Sequence, residues 1–201
     1  SIPDQIPQIE VAMGDEAGVL VFRLLVPPRP EDLEALRAFG EAHELEIYLQ
    51  EGGPESVRPL VEPPRELSYR LPEAGVEIRF LPTDFTQVNP GLNRLMVEQA
   101  LRLLDPQADE RLLDLFCGLG NFTLPLARRG ELVGGVEMEP GLVQRARENA
   151  ERNGIRNVEF FATNLYAPLD SAPWLASGFD KALLDPPRSG AFEILERLPR
   201  L

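Results

Sequence analysis

Short apolar segments alternating with amphipathic ones restrict the second half of this chain to one architecture. Arg111–Phe116, Glu131–Val136, Val158–Ala162 and Lys181–Leu184 have strand length and strand composition. Among them lie a helix over Phe122–Arg129 and another opened by Pro140 and stopped at Asn153-Gly154, with a further helix starting near Ala191. Apolar strands alternating with helices predict a doubly wound parallel sheet covered on both faces. A long amphipathic helix leads into it. Asn89 is its cap, Pro90 fills the first helical position, and Leu92, Leu95, Met96, Val97, Ala100, Leu101 and Leu104 form its apolar stripe.

The first 84 residues have a different rhythm. Ile9–Met13 alternates apolar and polar, the 14–18 segment turns, and Val19–Val26 returns, which is a hairpin pattern. Pro30-Glu31-Asp32 places proline and two acids in a first helical turn, followed by Leu33, Leu36 and Phe39 at helical spacing. Leu45–Leu49, Leu67–Leu71 and Val76–Leu81 read as further strands. The expectation is a small α+β domain over residues 1–84 with mixed or antiparallel pairing. It precedes an α/β domain over residues 85–201 whose sheet stops after its fourth strand. The lone His43 sits in a charged helical stretch and reads as part of a solvated face.

Composition removes several classes of function. With 43% hydrophobic and 26% charged residues, the 201-residue chain has material for a core and is not a disordered tail. Arg23 interrupts the best apolar run, Val19–Val26, so no run approaches the roughly 18 residues of a membrane span. No signal-peptide pattern is visible, and a single cysteine excludes an internal disulfide. Both fit a reducing cytosol, and a cytoplasmic location is the expectation. The net charge of −13 argues against tight nucleic-acid binding by these residues alone. That charge is uneven, with 17 acids against 7 bases in residues 1–84 and 16 against 13 afterwards. The chain starts at Ser1 and stops at Leu201 inside a helical pattern, which reads as a piece of a longer protein.

Chemistry concentrates where the first parallel strand ends, at Asp114-Leu115-Phe116-Cys117-Gly118-Leu119-Gly120-Asn121-Phe122-Thr123. Ligands of such sheets bind beyond the carboxyl ends of the strands. Gly118 and Gly120 let the backbone bend and come close to a ligand. A G-x-G pair alone is weak, but here a strand precedes it, a helix follows it, and Glu137 ends the next strand 19 residues after Gly118. A carboxylate at that place accepts hydrogen bonds from two ribose hydroxyls. A dinucleotide fingerprint requires a third glycine where this chain has Thr123, whereas Asp114, four residues before Gly118, is typical of S-adenosylmethionine loops. Asn121 serves either the cofactor or the helix start as a cap. Cys117 lies within the loop, where packing is the better reading than nucleophilic attack.

Three ordered strings, Phe85-Thr86-Gln87-Val88-Asn89, Asp114–Thr123 and Asp185-Pro186-Pro187-Arg188-Ser189-Gly190, together resemble the RNA uracil-5-methyltransferases. Residues 85–201 are similar to the cofactor domain of that family up to its fourth strand, and residues 1–84 to the central domain of its bacterial 23S rRNA branch. The local choices Gln87-Val88 and Leu115-Phe116-Cys117 favour the branch that carries a 4Fe-4S cluster. The resemblance implies S-adenosylmethionine binding at Gln87, Phe116, Gly118, Gly120, Asn121, Glu137, Asn164 and Asp185. It also implies 23S rRNA as the substrate of the full-length protein, and an iron–sulfur cluster held outside these residues. Arg188 suits a phosphate, a base carbonyl or a structural ion pair.

The family's chemistry is covalent. A cysteine thiolate adds to carbon 6 of uracil, carbon 5 takes the methyl group, a base removes the carbon-5 proton, and the thiolate is expelled. The resemblance puts nucleophile and base beyond Leu201, so no catalytic residue is expected in this chain and none of its residues is expected to hold a metal. Rival readings are the same chemistry on tRNA or another rRNA site, a nicotinamide-dependent oxidoreductase, and a cofactor-binding scaffold without activity. The lysine-to-leucine strand 181–184 is expected to present an apolar sheet edge.

Overall fold

The computed structural model describes residues 2–167, 169 and 172–195 and divides into two compact units, Ser1–Tyr69 with Arg79–Val88, and Arg70–Ile78 with Asn89–Leu201. In the first unit, β1 (Gln8–Met13) and β2 (Gly18–Arg23) form the expected antiparallel hairpin. Helix α1 (Pro30–His43) then crosses back so that β3 (Leu45–Gln50) lies parallel to β2. The short β4 (Arg58–Pro59) pairs antiparallel with β3, giving a mixed sheet in the order β1-β2-β3-β4. Asp32 accepts a hydrogen bond from the Arg29 N–H at the start of α1, as an acid in a first helical turn should. Phe22, Leu24, Leu36, Ile47 and Leu49 make the core between helix and sheet.

The strand expected to reach Val26 ends at Arg23. Leu24 N–H still donates to the Gln50 carbonyl, but Pro27 and Pro28 follow and cannot donate to a ladder, and Leu25 and Val26 turn out to solvent. Strands β5 (Leu67–Leu71) and β6 (Val76–Phe80) form a separate two-stranded sheet. Its tip belongs to the second unit, where the Asn153 side chain donates to the Glu77 carbonyl (2.7 Å) and accepts from the Glu77 N–H (2.9 Å).

The second unit contains α2 (Pro90–Leu104), β7 (Arg111–Leu115), α3 (Thr123–Ala127), β8 (Leu132–Glu137), α4 (Pro140–Arg152), β9 (Val158–Ala162), β10 (Lys181–Leu184) and the single turn α5 (Phe192–Leu195). All pairings in its sheet are parallel, in the order β10-β7-β8-β9. The chain steps outward from β7 to β9 and then returns to the other side of β7. The switch point therefore falls at the carboxyl end of β7, where open α/β sheets bind ligands. Leu113, Leu115, Val136, Leu165 and Trp174 form the buried centre, with Ile194 of α5 against them.

Four details depart from the sequence-based expectation. Strand β7 stops at Leu115 because Phe116 takes a left-handed conformation (φ 67°). Strand β8 is shifted one residue forward, which makes Glu137 its last member. Helix α3 is shorter than expected, confined to Thr123–Ala127. The buried face of α2 is Asn93, Val97 and Leu101 at i, i+4, i+8, whereas Leu92 and Leu95 of the expected stripe are 54% and 62% exposed. The expected helix at the end of the chain is seen at Phe192–Leu195, and its continuation to Leu201 lies outside the described residues. Among the described residues no helix is long and apolar enough to cross a membrane.

Candidate functional site

The parallel register explains how the site is assembled. Asp114 of β7 lies beside Leu183 of β10 and Gly135 of β8, so one step further along each strand brings Leu115, Leu184 and Val136 level. The loops leaving those strands start side by side. Phe116 and Cys117 N–H both donate to the Val136 carbonyl (2.9 and 3.0 Å), and Asp185 N–H donates to the Leu115 carbonyl (3.3 Å). The left-handed turn at Phe116 costs an aromatic residue on the order of 1–3 kcal/mol. These backbone bonds hold it in place.

Glu137 reaches back to the bend. Its Oε2 accepts from Gly118 N–H (3.2 Å), while Oε1 accepts from Met138 N–H (2.7 Å) and Glu139 N–H (3.1 Å). A carboxylate has about four acceptor positions, so one on Oε2 remains for a ligand hydroxyl. Gly118 (φ 52°) and Gly120 (φ 91°) both occupy left-handed backbone, and a Cβ built on Gly118 meets nothing within 4 Å. Open space above the loop and an acidic acceptor beside it are what a nucleoside with a free ribose requires.

Asp114 stands behind the loop, fully buried. Its Oδ2 accepts from the Thr123 hydroxyl at 2.5 Å, and its Oδ1 is buried without a hydrogen-bond partner. Burial, with the Asp185 and Glu137 carboxylates adding their repulsion against the Thr123 bond, pushes the Asp114 pKa up to about 7. Desolvation also raises the Asp185 pKa. Cys117 is buried, and burial first, then Asp114 and Glu137, push its thiol well above its ordinary range. That is the opposite of what a nucleophilic thiolate needs.

Asn121 does not cap α3. Its side-chain amide forms a reciprocal pair with Asn93 of α2, each donating to the other at 2.9 Å. Asn164 follows β9, and its Oδ1 accepts from Tyr166 N–H (2.9 Å), which closes a turn and leaves the residue at the surface. Asp185 ends β10 at the surface, one residue beyond the strand. Gln87 belongs to the first unit, two residues before the Asn89 cap, whose Oδ1 accepts from Leu92 N–H. Within the second unit the fold thus gathers Phe116, Gly118, Glu137 and Asp185 at neighbouring strand ends.

Sequence reasoning missed three participants. Asn93 was detectable as the polar member of the Asn93, Val97, Leu101 series. Thr123 carried a signal only as the residue in place of a third glycine. Tyr166 gave none. One thiol cannot hold an iron–sulfur cluster, and among the described residues no group of three or more His, Cys, Asp or Glu could hold a metal ion.

Residues 65–165 match the family described as tRNA (uracil-5-)-methyltransferase, half of the chain. The chain belongs to that family. It is 56% identical over 194 residues to a 23S rRNA (uracil(1939)-C(5))-methyltransferase of Stenotrophomonas maltophilia, covering 96% of this chain and 44% of the relative. It is 55% identical over 197 residues to the enzyme of the same name from Alkalilimnicola ehrlichii, covering 97% and 44% respectively. The chain spans a little under half the length of the curated relatives it matches. In fold it is similar to a Pyrococcus abyssi tRNA (uracil-54, C5)-methyltransferase solved with S-adenosyl-L-homocysteine. The TM-score is 0.68 at 23% identity, over 94% of this chain and 46% of that one. Trm5b of Pyrococcus abyssi gives 0.59 at 19% identity, over 99% of this chain and 62% of that one.

The family match takes in Gln87, the glycine loop, Glu137 and Asn164. Asp185 and the segment that follows it lie beyond the match, on β10 and its loop.

Proposed function

We propose that the chain carries the S-adenosylmethionine site of an enzyme that methylates carbon 5 of a uracil in 23S rRNA, working in the cytoplasm. The observation that supports this most is the Glu137 carboxylate, hydrogen-bonded to Gly118 N–H from the end of the adjacent parallel strand with one acceptor position left over. The relatives above 50% identity, named for 23S rRNA, favour that substrate over tRNA.

In this reading Glu137 holds the ribose, Gly118 and Gly120 admit the nucleoside close to the backbone, and Phe116 packs on it. Asn164 reads adenine with the amide end that its turn leaves unused, and Asn121, paired with Asn93, keeps the start of α3 in place. For Gln87, which lies in the other unit, a cofactor role rests on the family resemblance alone. Asp185 stands at the mouth of the site on β10. S-adenosylmethionine supplies an electrophilic methyl group on a sulfonium when bound. The Glu137 and Asp185 carboxylates, both near enough to act on Asp114, make the loop region electronegative, which suits that positive charge. Cys117 takes no part as nucleophile, since its thiol is buried and its pKa raised. The nucleophile and the base belong to the part of the relatives that this chain does not span.

Calorimetric titration of the 201-residue chain with S-adenosylhomocysteine tests the cofactor half. Saturable binding that NAD does not reproduce is expected, and equal response to NAD, or no response to S-adenosylhomocysteine, defeats the reading. Methyl transfer by the full-length enzyme to 23S rRNA and tRNA transcripts tests the substrate half. The 201-residue chain by itself is expected to show no turnover on either RNA.

A further inference from the structure

We propose that Tyr166 is a positioning residue that ties the glycine loop to the 185–190 segment, so that a ligand seated on the loop orders the turn carrying Arg188. The inference rests on the reading above for the identity of that ligand. Tyr166 has three separate attachments. Its backbone N–H is held by Asn164 Oδ1 (2.9 Å), and the turn is closed again by Ala167 N–H on the Asn164 carbonyl (3.1 Å). Its ring lies 5.9 Å from the Phe116 ring, tilted by 55°, within the range of favourable aromatic contact. Its hydroxyl donates to the Gly190 carbonyl (3.0 Å) and sits 3.4 Å from Ser189 Oγ.

These contacts join loops from three different strands. Phe116 follows β7, Tyr166 follows β9, and Gly190 closes a turn after β10 in which Gly190 N–H donates to the Pro187 carbonyl (2.8 Å). Arg188 and Ser189 are the middle residues of that turn, both exposed. Asp185 N–H on the Leu115 carbonyl fixes the start of the segment, and the Tyr166 hydroxyl fixes its end. Phe116 is already in a sparsely populated backbone conformation (φ 67°), so anything that packs on its ring favours one arrangement of the loop. The Phe116–Tyr166 contact passes that preference on, and the hydroxyl delivers it to the turn. Coupling of this kind is reciprocal, so an ordered turn also tightens the ligand.

Ring and hydroxyl can be separated by mutation. Amide hydrogen exchange at Arg188, Ser189 and Gly190 is measured in the 201-residue chain, alone and saturated with S-adenosylhomocysteine, for the wild type, Y166F and Y166A. In the wild type the ligand is expected to slow exchange in the turn about fivefold or more. Y166F keeps the ring but breaks the tie, so it is expected to exchange faster in the turn, to lose the ligand-dependent slowing and, because the coupling is reciprocal, to bind a fewfold more weakly, short of the loss in Y166A. Y166A is expected to lose that slowing and also to bind about fivefold more weakly. Ligand-dependent slowing that survives in Y166F overturns the proposal, as does loss of protection across β7 and β8 in that variant, which marks a general structural role. Should the wild type fail to bind, the cofactor reading fails on its own account. The ligand-free comparison still decides the tie, because equal exchange in wild type and Y166F overturns it and faster exchange in Y166F supports it.

Discussion

The two four-stranded sheets of this protein differ in the direction of their strands. In the first unit β1 and β4 run against β2 and β3, so the strand ends are divided between two opposite edges. In the second unit all four strands run the same way, and Leu115, Glu137, Ala162 and Leu184 end on one rim. Polarity follows direction. Among the described residues the buried polar side chains are Asn93, Asp114, Thr123 and Asn149, all in the second unit, while the first is closed by Phe22, Leu24, Leu36, Ile47 and Leu49. A parallel sheet puts several loops at one place, and there buried polar groups can satisfy one another. The mixed sheet offers no such rim and serves as a packed layer.

The largest effect expected from this contrast is on stability. Leu49→Ala removes a fully buried side chain of the first unit and should lower the unfolding free energy by about 2–5 kcal/mol in denaturant melts. S-adenosylhomocysteine affinity of the folded fraction should not change. An affinity that falls with the stability breaks the division of roles between the sheets.

Asp114 gives the second unit a pH dependence that reaches neutrality. Its pKa is about 7 in the folded chain and near 4 unfolded, so between those values the native state holds a proton that the unfolded state has released. Stability from this group is therefore present at low pH and declines as pH rises, by up to about 1.4 kcal/mol per unit, until it levels off above about 7. Melts of wild type and Asp114→Asn across that window should converge in the variant to a flatter profile. Parallel profiles would show that Asp114 is ionised throughout.

Glu137→Gln keeps the shape of the rim and removes its charge. A weakening of S-adenosylhomocysteine binding by about 10–100-fold is expected by calorimetry, since hydrogen bonds to a charged acceptor are worth about 1.5–3 kcal/mol. Asn93→Ala should have the smallest effect, about 1 kcal/mol in stability, because it removes one partner of a part-buried amide pair. Affinity in that variant sharpens the comparison. A clear loss there would show that α2 helps to hold the rim rather than only covering the sheet.

Most of the helices and strands were legible in local sequence signals. Apolar runs, the Asn89-Pro90 start of α2 and the Asn153-Gly154 stop of α4 are local signals, and the strand positions agree with them to within a residue or two, except that β2 ends three residues early and the two-residue β4 was not expected. The sequence also put Glu137 at a strand end, because strand length is read from a few neighbouring side chains. Tertiary structure alone decided the rest. The return of β10 to the free side of β7 brings Asp185 beside Leu115, residues 70 positions apart. The Asn93–Asn121 pair and the Tyr166–Gly190 bond join residues 28 and 24 positions apart. The Asp114 pKa depends on carboxylates delivered by two other strands. Periodicity reports which face of an element is apolar and says nothing about which remote group will stand opposite it. That is fixed only when parallel registers align the strand ends and the polar groups displaced from water there have to find one another.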